Sequence, residues 1–465
     1  MIFTQPIFLL FFLGTFLVYW RLRGHLARKR WLFFASYFFY GYWNWRFLGL
    51  ILLCTTVDYF TARALDSEKD EKHRKSLITL SIVTNLSVLG FFKYFNFFVD
   101  SAYATLHQLG YQAEPPSLRV LLPVGISFFT FQSMSYTVDV YRRGIHARKS
   151  FLDFALFVSF FPQLVAGPIV RARDFLPQVE RPQLFSDVNV RRALVLFAVG
   201  YFKKACVADN VSAAIDRMYA DPSLFDAGSR VLGAAMYSLQ IFCDFSGYTD
   251  MAIAVAALFG FTLVKNFDAP YFSANIQDFW QRWHISLSTW LRDYLYIPLG
   301  GNRGTAWLVA RNLFLTMVIG GLWHGANWTF VLWGALHGLA LVSHRFFARR
   351  FPPLKGLAPR VLGWALTLSW VVFCFTIFRT PSISEAWLFF TAGSKSATLG
   401  VSAWWWAIII GLGALQYSVR CHAAWLEQKL HGFSDWTFYG ALGLASAGLL
   451  YMTPLNMSPF IYFQF

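Results

Sequence analysis

The stretch Gly320-Gly321-Leu322-Trp323-His324-Gly325-Ala326-Asn327-Trp328-Thr329-Phe330 sets a histidine and an asparagine inside a long apolar run, between glycines and large aromatics. Lipid offers such groups no hydrogen-bond partner, so either the fold satisfies them or the function requires them. Residues 308–342 around the stretch are long enough for two crossings, and the spacing predicts a break near Gly320-Gly321. The rest of the chain reads as the membrane body that holds this segment.

Composition agrees. Of 465 residues, 57% are hydrophobic, 20% aromatic and only 14% charged, too few charges to cover a soluble surface. The net charge of +16 comes in short basic clusters between apolar runs, as in cytoplasmic loops of membrane proteins. No nucleic-acid partner is expected. Cys54, Cys206, Cys243 and Cys374 lie in apolar runs and Cys421 in a basic loop, without metal-ligand spacing or a disulfide framework. Residues 2–20 read as a first membrane helix, since no short basic region precedes them and no small-residue cleavage site follows.

The basic clusters order the crossings. Arg21, Arg23, Arg28, Lys29 and Arg30 put the first loop in the cytoplasm and the N-terminus in the periplasm. Residues 31–61 then make two short passes with an interfacial turn at Trp43-Asn44-Trp45-Arg46. Residues 76–98 cross outward, 99–118 form a periplasmic segment and 119–140 return. Residues 151–170 carry Pro162, Gly167 and Pro168 and are predicted to be re-entrant or broken. Residues 193–208 and 231–264 supply further spans, the second containing Asp244 and Asp250. Carboxylates inside an apolar run mark a functional site, or else pair with arginines of a neighbouring helix.

Residues 277–303 are too polar to span. Trp280, Trp283, His284, Leu287 and Leu291 form one helical stripe, with Gln281, Arg282, Ser288 and Arg292 opposite. An amphipathic helix at the interface or capping the bundle is predicted. Residues 361–379, 404–419 and 437–453 complete about 11 spans in one integral-membrane domain, 1–465, with the C-terminus periplasmic.

Among ten histidines, His25, His73, His107, His146, His422 and His431 fall in predicted loops. His337 and His344 share a face near a cytoplasmic end, opposite His324 on a continuous helix, and read as interfacial or core histidines. Asn327 and Trp328 follow His324 by one turn, while Gly321 and Gly325 leave room beside it for a ligand or a helix. Burial favours the neutral imidazole, which can act as a base. The chain has no Gly-x-Ser-x-Gly elbow, no phosphate-binding glycine-lysine loop and no histidine pair at zinc-helix spacing. A lone neutral histidine suits deprotonation of a hydroxyl in acyl transfer.

The run Asn275-Ile276-Gln277-Asp278-Phe279-Trp280-Gln281-Arg282-Trp283-His284-Ile285-Ser286-Leu287-Ser288-Thr289-Trp290-Leu291-Arg292-Asp293-Tyr294 is followed by Pro298-Leu299-Gly300-Gly301-Asn302 and by Gly321-Leu322-Trp323-His324-Gly325-Ala326-Asn327-Trp328. Together they closely resemble the membrane-bound O-acyltransferases, and within them the bacterial alginate O-acetyltransferase branch. Leu122-Pro123-Val124-Gly125-Ile126-Ser127-Phe128-Phe129-Thr130-Phe131-Gln132, Pro162-Gln163-Leu164-Val165-Ala166-Gly167-Pro168, Asp244-Phe245-Ser246-Gly247-Tyr248-Thr249-Asp250 and Pro459-Phe460-Ile461-Tyr462-Phe463-Gln464-Phe465 extend the resemblance over essentially the whole chain.

The resemblance implies an all-α polytopic protein of the bacterial inner membrane, a ring of helices around a central tunnel. It makes His324 the catalytic histidine and His284 a second polar residue near the tunnel, with Asn327, Trp323 and Asp244 as candidate substrate-binding residues. No metal or bound cofactor is implied. The donor is acetyl-CoA or another acetyl carrier. The partners are the lipid bilayer, an exported polysaccharide and the periplasmic proteins that acetylate it. Direct transfer, transfer through a partner protein and an acetyl-histidine intermediate all stay open, as do alginate, cellulose and peptidoglycan acceptors and D-alanyl transfer to teichoic acid. Two other classes compete: a proton-coupled transporter using Asp244, Asp250 and His324, and a scaffold of a polymer-export complex.

Overall fold

A computed structural model describes residues 1–111, 119–164, 167–352, 356–393, 404–456 and 458–461 of the chain. All regular structure among them is helical, as expected. Six helical stretches of the described residues are long and apolar enough to cross a membrane: His25–Ser67, Glu71–Gln108, Ala227–Leu258, Ala306–His324, Trp328–Arg350 and Leu357–Arg379. Pro6–Arg21 and Ile409–Ser418 are apolar but shorter. Among the described residues these stretches do not establish the roughly 11 crossings expected from hydropathy at about 20 residues each. The described residues divide into two compact units, Met1–Ala193 with Ala252–Val264, and Leu194–Met251 with Lys265–Phe465.

The first unit contains α1 (Pro6–Arg21), α2 (His25–Asn44), α3 (Leu48–Ser67), α4 (Glu71–Gln108), α5 (Ile126–Tyr141), α6 (Phe151–Ser159), α7 (Phe161–Leu164) and α8 (Ala172–Glu180). A 3₁₀ turn at Trp45–Phe47 separates α2 from α3, where the interfacial turn is expected, and the Asn44 side chain accepts from the Arg46 N–H at 3.1 Å. Helix α4 continues through residues 99–108 of the segment expected to be periplasmic. Residues 112–118 of that segment, with Glu114-Pro115-Pro116, lie outside the described residues. Helix α5 starts only at Ile126, since Gly125 (φ 76°) takes a left-handed conformation.

The broken element expected at 151–170 is present as α6 and α7, buried from Asp153 to Leu164; Val165 and Ala166 of the break lie outside the described residues. Its phenylalanines form the core. Phe160 meets Phe261 at 5.1 Å between ring centres and Phe161 meets Phe259 at 5.8 Å. One buried carboxylate, Asp58, accepts from Ser81, Asn85 and Ser133, which ties α3 to α4 and α5 through polar groups lipid could not satisfy.

The second unit begins with a continuous helical run: α9 (Val190–Tyr201, whose first turn belongs to the other unit), a π-helical stretch at Phe202–Ala208, and α10 (Asp209–Ala220). The span expected at 193–208 therefore runs on past its predicted end. Next come α11 (Ala227–Leu258, whose end from Ala252 belongs to the other unit), α12 (Ile276–Arg282) and α13 (Ile285–Leu291), then α14 (Ala306–His324), α15 (Trp328–Arg350), α16 (Leu357–Arg379), α17 (Ile383–Thr391), α18 (Trp404–Gly432) and α19 (Asp435–Met452). The amphipathic helix expected over 277–303 is instead broken at Trp283-His284, although its buried and polar faces fall as predicted. Helix α11 stops at Leu258, short of the expected 264.

Helices α14 and α15 form a tight hairpin. Its break lies at Gly325-Ala326-Asn327 and not at the predicted Gly320-Gly321, which are helical. Those glycines serve packing: a Cβ on Gly321 would lie 2.2 Å from the Phe330 carbonyl oxygen, and one on Gly334 2.4 Å from that of Met317. Gly321→Ala is therefore expected to force the hairpin apart and lower stability by about 1–3 kcal/mol. Gly90→Ala, where a Cβ meets nothing within 4 Å, is the control. Equal thermal unfolding of the two variants in detergent would contradict this account.

Candidate active site

His324 is the last residue of α14, and its surroundings follow from the hairpin break. Gly325 extends the chain, and Asn327 restarts it as the N-cap of α15, its Oδ1 accepting from the Thr329 N–H at 3.0 Å. Asn327 Nδ2 donates to the Pro381 carbonyl at 2.7 Å, so the side chain binds α15 to the segment after α16. Trp328 is 57% exposed. Neither residue shares a helix face with His324, because the helix the sequence reading assumed ends at His324. The space expected beside the glycines is also filled, a Cβ on Gly325 lying 2.0 Å from the Phe330 ring.

The imidazole of His324 is buried among aromatic rings. Trp323 and Trp333 lie 5.0 Å away between ring centres and Phe378 5.5 Å away, all near edge-on. The second histidine of the site comes from the break between α12 and α13. His284 takes the left-handed conformation (φ 43°, ψ 55°), uncommon for a residue with a side chain. Asn266 holds it there, its carbonyl accepting from the Ile285 N–H at 2.9 Å and its Oδ1 from the Ser286 N–H at 3.1 Å. The result turns the His284 ring, 0% exposed, to within 6.4 Å of His324 and 6.0 Å of Trp323. Burial holds the His284 pKa down at about 3, so its imidazole is neutral at physiological pH.

Phe245 of α11 closes the other side, 4.6 Å from His284, and is backed by Phe460 at 5.8 Å. Its neighbour Asp244 is buried and held on both oxygens. Lys204 Nζ lies 2.6 Å from Oδ1, and the Ile461 N–H donates to Oδ2 at 2.7 Å. The same ammonium lies 2.7 Å from Asp209 Oδ1 and donates to the Ser458 carbonyl at 3.0 Å. Asp250 pairs with Lys203 at 2.6 Å. The two carboxylates flagged by sequence are thus ion-paired within the fold, to lysines where arginines were expected. Gly200 and Gly247 allow the close approach: a Cβ on either would lie 2.6 Å from the other's carbonyl oxygen.

His337 also belongs here. The reading of one continuous helix put it opposite His324, but the break brings α15 back so that Trp333 lies between them, 5.0 Å from His324 and 4.7 Å from His337. The sequence reading missed Asn266, Lys204, Trp333 and Phe378; each is separated along the chain from the histidine or carboxylate it serves. An apolar cavity of about 1140 Å³ lies elsewhere in this unit, lined by residues including Phe202, Phe242, Tyr271 and Trp364 but by neither His284 nor His324. The site proper is a buried aromatic enclosure with two neutral-capable imidazoles, suited to moving one proton.

Residues 37–384 match the model of the membrane-bound O-acyltransferase family. The chain is 43% identical to the probable alginate O-acetylase of Azotobacter vinelandii over 84% of this chain and 78% of that protein. It is 37% identical to the peptidoglycan O-acetyltransferase of Helicobacter pylori, over 83% and 78%. The teichoic acid D-alanyltransferase of Streptococcus thermophilus is 28% identical, over 57% and 69%.

Proposed function

From the premise that the chain belongs to the membrane-bound O-acyltransferase family, we propose that it moves an acetyl group across the bacterial inner membrane for O-acetylation of an exported polysaccharide. That it is an O-acyltransferase follows from the family and its acetyltransferase relatives. The finer reading concerns donor, acceptor and residues. The donor is acetyl-CoA, or another acetyl carrier, reaching the site from the basic cytoplasmic side. The acceptor is a hydroxyl of an exported polysaccharide of the alginate kind, or of the periplasmic protein that passes the group on. The 43% identity to an alginate O-acetylase supports this choice over a peptidoglycan acceptor. The chain works as one acyltransferase domain with both termini on the periplasmic side.

One observation carries the reading: two buried imidazoles, His284 and His324, 6.4 Å apart in an aromatic enclosure. His324 accepts the hydroxyl proton as the oxygen attacks the thioester carbonyl. The carbon–sulfur bond then breaks, and the proton leaves His324 with the thiolate as a thiol. While protonated, His324 sits at the carbonyl end of α14, the end of a helix that favours positive charge. Neutral His284 orients the reacting groups from across the enclosure, and Trp323 and Asn327 border the substrate. Asp244 acts from behind, by holding α11 and Phe245 in place.

Membranes containing the protein, supplied with labelled acetyl-CoA, should transfer label to polymer or to a periplasmic acetylation protein. Movement of substrate without any donor, with no acyl product, would favour the transporter instead. His284→Ala is expected to lower transfer by about 10- to 100-fold, the scale for misplacing reacting groups, with unchanged protein level. Parent-like activity would leave His284 a structural role only.

A further inference from the structure

The apolar cavity of the second unit takes no part in the chemistry proposed at His324. Its wall is built from α9, α11, α16, α18 and α19, through residues such as Val199, Leu239, Leu368, Ile410 and Leu442. Four polar side chains of the wall are already bonded within the protein. Lys203 Nζ lies 2.6 Å from Asp250 and 5.7 Å from the centre of the Phe242 ring. The Tyr271 hydroxyl donates to the Ser238 carbonyl, the Ser238 hydroxyl donates to the Ala234 carbonyl at 3.0 Å, and Trp364 Nε1 donates to the Tyr271 carbonyl at 2.7 Å. An occupant thus meets an almost wholly hydrocarbon surface.

Size narrows the occupant. Packed interiors leave few voids larger than a water, so a space of about 1140 Å³ beside a bilayer is filled by something. A spanning helix about 10 Å across and 30 Å long would take about 2,400 Å³, which is too much. Along α19 the lining runs from Thr437 to Leu449, about 18 Å at 1.5 Å per residue. One leaflet contributes about 15 Å of hydrocarbon, so the depth matches lipid chains that enter from one side.

Charge says which side and which lipid. Arg360 stands one turn before the lining residue Trp364 on α16, and Lys429 stands beside the lining residue Leu430 on α18. Both side chains are exposed, and neither is ion-paired among the described residues. The positive-inside rule puts them in the cytoplasm, where anionic lipid headgroups attract basic residues.

We propose that this cavity is a binding site for an anionic phospholipid of the cytoplasmic leaflet, with its chains between α19 and α11 and its headgroup at Arg360 and Lys429. The lipid is a resident of the fold and enters no reaction. Its chains pack on Phe242 and Tyr271, which lie 6.3 and 5.9 Å from Trp283, the residue before His284. Binding does not depend on the acyl-transfer reading of His324.

The probe is phosphatidylglycerol, compared with phosphatidylcholine, on the full chain in mild detergent. Bound lipid is counted by mass spectrometry of the intact complex, and affinity is read from the thermal shift on titration. The parent should retain phosphatidylglycerol and bind it more tightly than phosphatidylcholine. Ala235→Trp fills the cavity from α11 and should lose the retained lipid. The double variant Arg360→Gln, Lys429→Gln should bind phosphatidylglycerol about tenfold more weakly or worse, the scale for two basic residues at an anionic surface, with phosphatidylcholine binding unchanged. Phosphatidylglycerol carrying a photoreactive group on its chain should label peptides of the parent from 195–203, 235–243 and 437–449, a test that needs no variant to fold. Equal affinity of the parent for the two lipids, or labelling absent from the first two of these segments, would overturn the proposal. So would a folded Ala235→Trp protein that keeps its phosphatidylglycerol.

Discussion

His324→Ala is expected to reduce acetyl transfer by about 100- to 10,000-fold, the usual contribution of a positioned general base. The variant should still accumulate in the membrane. The ring contributes edge contacts to Trp323, Trp333 and Phe378, while the hairpin break is set by Asn327 and Gly325. Transfer from labelled acetyl-CoA, normalised to protein in the membrane, is the measurement. Undiminished transfer at parent levels of protein would remove His324 from the chemistry. A reduced protein level with parent specific activity would point to packing instead. His324→Gln refines the result: it keeps a hydrogen-bonding side chain of similar reach but cannot take a proton, so it should be as inactive as alanine.

Lys204→Met should be the most damaging change to stability, about 3–5 kcal/mol, as for a buried ion pair that loses one partner. The ammonium is 1% exposed and is shared by Asp209 and Asp244, so its removal leaves two carboxylates facing each other without a cation. Methionine keeps the length of the stem, which isolates the charge. Loss of folded protein in a detergent stability assay is the expected readout. The triple variant Lys204→Met, Asp209→Asn, Asp244→Asn should recover much of the stability, because neutral amides carry no unpaired charge. A single Lys204→Met variant as stable as the parent would show that the cluster is not held by that charge.

Membrane character and helical class were legible because they rest on local composition, and His324 and His284 were singled out by motifs contiguous in the chain. What was not legible depends on contacts between distant residues. A glycine that ends a helix and one that lets two helices touch read alike, so the hairpin break was expected at Gly320-Gly321 and lies at Gly325-Asn327. The stripe through Trp283, His284 and Leu287 correctly gave the buried face. The break inside it depends on Asn266, a hydrogen-bond partner outside the window that periodicity examines. Lys204 lay in a run read as a plain span, and only the folded helices bring it to Asp244 and Asp209. The misplaced break also put His337 on the wrong side of His324.

The bond from Ile461 to Asp244 joins residues 217 positions apart, across most of the second unit. At 5–20 residues per second, roughly 10 to 40 s of synthesis separate the two. During that interval α11 already carries Asp244 in the membrane, with Lys204 beside it but without the backbone N–H of Ile461 or the Ser458 carbonyl on the shared ammonium. Phe460, which backs Phe245 and through it His284, arrives equally late. The enclosure around the histidines is therefore finished last, so a chain stalled before residue 458 would carry both imidazoles and yet have an open, misformed site.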